Sequence, residues 1–331
     1  MIFLRNFIKQ MGCLSSIVKA FFERNVQCQK LNPKIYFYNF WTIDQNKVQD
    51  IWLANFITHN LNISNRVNIF SVFGNKEIVR FVKSPKIFFT GENIHTKIVN
   101  THFDNITTSY FKRFDLAVGF DYEEVINQAN YLRFPLWIMY MFPFNSSYED
   151  IKRIIKNYNC PQHRSNYKRS RFASNISRHD NNGVRGEIID TLTYVNEIEC
   201  AGDFRNNTDS LRMTFYDDKI KYLNTVRFNI CPENSDAPGY VTEKVFESIQ
   251  SGCIPVYWGS GNKPEPDILN SDAILFFNRE NPNLLYNKVY SLENNSKLYN
   301  EFINQKPFLE NAEDVIWERF KELRYRIKSI F

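Results

Sequence analysis

At 331 residues the chain can build one large or two medium domains, and its 43% hydrophobic and 23% charged residues are an ordinary globular balance. A net charge of +5 is too small to argue for nucleic acid as a partner. No stretch approaches the ~20 uninterrupted apolar residues of a membrane span. The apolar-rich opening is broken by Arg5, Lys9 and Lys19, so no signal-peptide core forms, and the six cysteines make neither a CxxC pair nor a zinc spacing. A reducing, cytoplasmic setting is expected.

In chain order, residues 34–39 (KIYFYN) read as a first core strand, 41–50 as a loop, 51–60 as a helix and 67–73 as a second strand. Residues 79–82, 86–90 and 116–120 read as further short strands. Strands separated by helical patterns predict a mostly parallel sheet. Within 88–95 (FFTGENIH) the strand stops at Thr90 and Gly91 turns the chain. Glu92 is then left at the strand's carboxyl end, where ligands bind in open α/β sheets. A carboxylate there is placed to be a general base. His95 reads as a surface histidine, with a role in orienting Glu92 as the alternative.

Residues 149–160 read as a helix leaving the first domain and 161–170 as a linker. The basic cluster of His163, Arg164, Lys168, Arg169 and Arg171 reads as a solvated face, with attraction of a nucleotide diphosphate as the second reading. Residues 171–176 open a second sheet, and a helix near 183–194 carries Arg185 in its first turn. A cation there opposes the helix dipole, and an arginine is suited to hold phosphate with two hydrogen bonds at once. Residues 203–225 are polar and turn-rich.

The most informative stretch is 228–259, FNICPENSDAPGYVTEKVFESIQSGCIPVYWGS. A buried strand at 228–231 leads through a Pro- and Gly-containing loop to a helix with Thr242 as N-cap and Gly252 as terminator. A second strand follows at 254–258. Lys244 again places a cation in a helix's first turn, which makes sense if an anion such as phosphate sits against the free N–H groups. Glu243 beside it is suited to ribose hydroxyls. Residues 274–277 read as the next strand and 281–292 as a helix. The tail 313–331 is a helix with Ile316, Phe320, Leu323, Ile327 and Ile330 on one face. That stripe packs back on a domain in the first reading. In the second, the basic end of Lys321, Arg324, Arg326 and Lys328 touches an anionic membrane surface.

The string ENSDAPGYVTEK, closing in PVYWGS, resembles the donor-binding signature of the α1,3-fucosyltransferases, most strongly the bacterial members without a membrane stem. FTGE resembles the motif whose glutamate is that family's proposed base, and VRGEII the stretch whose arginine contacts the donor pyrophosphate. FDLAVGFDY and YLRFPLW also resemble family segments, which makes Asp115, Asp121, Glu123 and Glu124 rivals to Glu92. The resemblance implies an α/β protein of two Rossmann-like domains facing across a cleft, the GT-B architecture. Residues 1–160 would hold the acceptor, and 161–331 would hold GDP-fucose and carry the amphipathic helix. It implies inverting transfer of L-fucose from GDP-fucose to a glycan hydroxyl, O3 of N-acetylglucosamine or glucose. Glu92, Arg185 and Lys244 would be catalytic, and Arg185, Asn234, Tyr240, Glu243 and Lys244 would bind the donor. No metal ligands are expected and no cofactor is obligatory, a divalent ion being at most stimulatory. An inactive glycan- or nucleotide-binding module and a different nucleotide-sugar donor are the alternatives.

Overall fold

The computed structural model describes residues 16–25, 28–31, 33–44, 48–61, 66–95, 106–165 and 169–331. Arg5 and Lys9 of the apolar-rich opening, Lys168, and part of the expected loop 41–50 lie outside them. The chain forms two compact units, one of Met1–Met139, Pro143–Asn145 and Phe320–Phe331, the other of Tyr140–Phe142 and Ser146–Arg319. The changeover falls near residue 140 and not at 160, because the helix Tyr148–Tyr158 is tied to the second unit. Asn159 exchanges hydrogen bonds of 3.1 and 2.9 Å with the Phe308 backbone, and the Tyr158 ring stacks on that of Phe308.

The first unit is a six-stranded sheet in the order β1 (Cys28–Lys30), β2 (Ile35–Tyr38), β3 (Val67–Phe70), β4 (Lys86–Phe89), β5 (Leu116–Gly119) and β6 (Tyr131–Arg133). All its pairings except β1 with β2 are parallel. Its register explains its core. Tyr38, Phe70, Phe88, Ala117 and Tyr131 are consecutive partners across five strands and share one buried cluster with Tyr110, Phe111 and Phe114. The alternate residues, such as Phe37, Ile69 and Ile87, point to the other face. Trp52 and Phe56 of the helix Val48–Asn60 meet Phe320 of the last helix, Ala312–Lys328.

In the second unit five parallel strands run in the order β11 (Leu275–Phe276), β10 (Ile254–Tyr257), β9 (Val226–Ile230), β7 (Arg171–Asn175) and β8 (Ile198–Cys200). Read from β8, this is the doubly wound order 2-1-3-4-5, and the direction of winding reverses between β7 and β9. Val184, Ile188 and Leu192 of the helix Val184–Leu192 share a core with Phe228, Ile254, Val256 and Leu285.

Several local expectations change. Residues 79–82 are not a strand but lie mostly in the 3₁₀ helix Lys76–Phe81, capped by the Asn75 side chain accepting from the Glu77 N–H at 3.1 Å. A short apolar run carries no period that separates the two. The basic cluster is not a solvated face. Arg164 is 2% exposed, and Arg169 donates to the carbonyls of Leu223, Asn224, Val226 and Ser251. Arg171 pairs with Glu199 at 2.9 Å. These cations fasten strand ends and loops. Of the expected stripe, Ile316, Phe320, Leu323 and Ile327 are fully buried and Ile330, just past the helix Ala312–Lys328, is half-buried. The stripe thus packs back on the protein, and little of the apolar face that the membrane reading needs is left. Among the described residues no helix is long and apolar enough to cross a membrane.

Candidate active site

In the second unit a cavity of about 460 Å³ opens beyond the carboxyl ends of β7 and β9, where the strand order reverses. Asn175, Ile176, Ser177, Arg178 and His179 wall it from the end of β7, and Asn229 to Pro232 and Asn234 from the end of β9. Arg185 comes from the helix Val184–Leu192, and Glu243 and Lys244 from the helix Glu243–Gln250. Lys219 completes the set of cations. Four cations thus line the cavity with one carboxylate, which suits an anionic ligand.

Most of these charges are fastened by partners that sequence reasoning missed. Glu233 is fully buried and accepts from the Thr242 N–H at 2.8 Å, the Thr242 hydroxyl at 2.7 Å and Lys244 Nζ at 3.1 Å. Gly259 (φ 134°) makes room for it, since a Cβ there would stand 2.8 Å from Glu233 Cβ and Cγ. Burial alone would pull the Lys244 ammonium down, but Glu233 and Glu243 outweigh it and hold Lys244 above its usual value. In return Lys244 and Lys219 outweigh the burial of Glu243 and hold that carboxyl below its usual value. The first-turn lysine therefore has an internal counter-ion. Thr242 stands at the N-cap, but its hydroxyl serves Glu233 and not the helix.

The helix Val184–Leu192 shows a similar substitution. The Asp180 carboxylate accepts from the Arg185 N–H at 3.1 Å and the Gly186 N–H at 2.8 Å. Its first turn is thus occupied by the chain's own anion, and the expected pair of open helix N-termini is not what is built. Arg185 is 3% exposed and donates to the His179 carbonyl at 2.9 Å, the Pro232 carbonyl at 3.4 Å and Asn234 Oδ1 at 2.8 Å. It ties the loop after β7 to the loop after β9 while forming part of the wall. Arg178, exposed on that wall, has neither a hydrogen bond nor an ion pair among the described residues. Tyr240 is 2% exposed and does not line the cavity, but it lies near enough to Arg185 and Lys244 to act on both electrostatically. Of the expected donor residues, Arg185, Asn234, Glu243 and Lys244 come together in one cavity.

In the first unit, Glu92 is half-buried just past the end of β4, with its N–H on the Thr90 hydroxyl at 3.0 Å. Leu136 packs against Gly91, where a Cβ would stand 2.7 Å from Leu136 Cδ2. His95 Nε2 lies 2.7 Å from Asp121 Oδ1, just past the end of β5. Asp121 is 5% exposed, and its hydrogen bond to the imidazole outweighs burial and raises His95 above its usual value. Asp115 is spent on the Lys86 N–H at 2.7 Å, and Glu123 on the Arg133 N–H at 3.1 Å. Those two rivals to Glu92 thus have structural work.

Two family models match the chain. The "Alpha-(1,3)-fucosyltransferase FucT N-terminal domain" takes in residues 35–140, and "Glycosyltransferase family 10 (fucosyltransferase) C-term" residues 165–324. The α-(1,3)-fucosyltransferase FucT of Helicobacter pylori is 26% identical over 261 residues, 69% of this chain and 50% of that protein. α-(1,3)-Fucosyltransferase B of Drosophila melanogaster is 32% identical over 98 residues, 30% of this chain and 22% of that one. The chain thus spans half or less of the length of these relatives. A solved α1,3-fucosyltransferase superposes with a TM-score of 0.59 at 19% identity, over 90% of this chain and 92% of the other. A second, solved with GDP-fucose, gives a TM-score of 0.50 at 21% identity over 80% and 79%. The structural likeness establishes the shared α/β fold of the GT-B class, and the two models between them reach both sheets. On that footing the chain belongs to the α1,3-fucosyltransferase family, within glycosyltransferase family 10.

Proposed function

We propose that the protein transfers L-fucose from GDP-fucose to a glycan hydroxyl, O3 of an N-acetylglucosamine or glucose unit, with inversion at the anomeric carbon. The observation that carries the reading is the cavity at the reversal of the second sheet, walled by Arg178, Arg185, Lys219 and Lys244. Doubly wound sheets bind nucleotides at that point, and a diphosphate is the anion such a wall fits. The family's H. pylori and fly members are named as α-(1,3)-fucosyltransferases, and one solved relative holds GDP-fucose.

In this reading Glu92 takes the proton of the acceptor hydroxyl as its oxygen attacks the anomeric carbon. The bond from that carbon to the β-phosphate oxygen breaks, and GDP leaves with both electrons. Charge gathers on the diphosphate as positive character gathers on the sugar ring. Fixed cations on the cavity wall stabilise that charge, and Glu243 holds ribose or fucose hydroxyls. With those cations in place no metal should be obligatory, and transfer should persist in the presence of a chelator.

The test is GDP release from GDP-fucose, with and without N-acetyllactosamine, for wild type and Glu92→Ala, beside calorimetric titration of GDP. The expected result is acceptor-dependent release by wild type. The variant should bind GDP normally and transfer at least about a hundredfold more slowly, as loss of a general base entails. GDP binding without transfer to any glycan offered would favour the inactive binding module. Absence of GDP binding would remove the donor reading.

A further inference from the structure

The helix of residues 16–23 sits on the first unit with one face in and one face out. Ala20 is fully buried in the cluster that includes Phe70 and Phe88. Asn75 anchors the helix from both sides, meeting Ser16 Oγ at 3.3 Å and Glu23 Oε2 at 3.3 Å. The outward face carries Val18, Phe21 and Phe22, which are 53%, 44% and 71% exposed. Their spacing, i, i+3 and i+4, gathers them on one side of the helix. Large apolar side chains grouped in this way are a surface that another phase or partner covers.

Charge indicates what that cover is. The Lys19 side chain is 69% exposed beside the patch, and the Arg24 guanidinium lies 4.3 Å over the Phe21 ring. The sequence leading into the helix adds Arg5 and Lys9, and no aspartate or glutamate occurs before Glu23. Apolar residues interleave with these cations, Phe3, Phe7 and Ile8 among them. Through residue 24 four cations stand against one acid, Glu23, which pairs with Lys19 at 3.4 Å. Apolar side chains among such an excess of lysine and arginine are the composition of a segment that lies in the headgroup region of an anionic bilayer. The amphipathic helix at the other end of the sequence does not compete for this role, since its apolar stripe is already buried. We propose that the exposed face of residues 18–22 docks this protein on an anionic lipid surface. The aromatic rings would enter the headgroup boundary, with Lys19 and Arg24 at the phosphates.

Flotation of the full chain with vesicles tests this, using phosphatidylcholine alone or with about a third phosphatidylglycerol. The expected result is co-flotation with the anionic vesicles only, weakened by added salt. Val18→Asp/Phe22→Asp should reduce the bound fraction at least about tenfold. Both positions are exposed, so its thermal unfolding should match wild type. Tyr325→Asp, an exposed aromatic on the last helix, should float like wild type. Wild-type protein that ignores anionic vesicles, or a double variant that binds them as well as wild type, overturns the proposal. So does a wild-type dimer in gel filtration that the double variant converts to monomer without vesicle binding, because the patch would then join two copies of the chain.

Discussion

Glu233 is a fully buried carboxylate that receives the Thr242 N–H and hydroxyl and the Lys244 ammonium, with the Tyr257 hydroxyl 3.4 Å away. An amide at this position keeps the shape and one acceptor but leaves Lys244 without its main counter-charge. Breaking a buried ion pair from one side costs about 3 kcal/mol. Glu233→Gln should therefore lower the urea midpoint by an amount of that order and weaken GDP binding, and an unchanged midpoint would show that Lys244 does not depend on it. A residue-level pH effect is expected at His95. Asp121 raises its imidazole above the ordinary 6.5. A raised folded-state value means that the pair's stabilisation is fully present below pH 6.5 and is lost as pH rises through the higher folded value. An NMR titration of the ring should place the wild-type midpoint above 6.5, and Asp121→Asn should return it toward that value. A wild-type midpoint at or below 6.5 would refute the pairing. These two carboxylates mark the limit of reading side chains in isolation. Lys244 in a first turn correctly signals a nearby anion, but the sequence does not say whether that anion is a ligand or a glutamate eleven positions earlier. The rule that singles out Glu92, a carboxylate just past a buried strand, applies equally to Glu233 after β9, and that was the available signal.

At the scale of the element, the unit β9–helix–β10 was legible because each of its signals is local. Phe228 and Ile230 are buried in the strand, Thr242 stands at the N-cap, and Gly252 follows the last helical turn with φ 69°. Left-handed backbone is adopted without steric cost only by glycine, which has no Cβ. Here crowding adds to strain, for a Cβ on Gly252 would stand 2.5 Å from Arg169 Nη2 and 3.0 Å from the His163 carbonyl. Arg169 cannot yield freely, because it also bonds four carbonyls of neighbouring turns. Gly252→Ala should cost roughly 2 kcal/mol, of which about half is backbone, and a thermal melt would show it as a lowered Tm. An unchanged Tm would mean that the guanidinium moves without loss. The elements that escaped the sequence are those without local punctuation. β1, β6 and β8 are three residues each, too short to display alternation, and they exist because the neighbouring strand offers them a ladder. The helix Val184–Leu192 was located, but its cap was not, since Asp180 reaches its N–H groups across a loop turn.

For the molecule as a whole, the sequence located parallel α/β architecture in both halves but not the division of the chain. The last helix begins in the second unit and returns its residues from Phe320 onward to the first, a long-range closure that no local pattern encodes. That division has a thermodynamic consequence for ligand binding. The cavity proposed for GDP is lined wholly by residues of the second unit. A ligand that binds only the folded form adds RT ln(1 + [L]/Kd) to the unfolding free energy, about 2.7 kcal/mol at a hundredfold excess over Kd. If the units unfold in separate transitions, GDP should raise the temperature of one and leave the other in place. Hydrogen exchange should then slow around Asn175–His179 and Glu233–Lys244 but not in β2 to β5. If unfolding is a single transition, the whole of it should move by the same free energy. Scanning calorimetry with and without GDP separates the two cases. A shift confined to the first unit's strands would place the nucleotide on the wrong sheet and overturn the assignment of the second unit as the donor side.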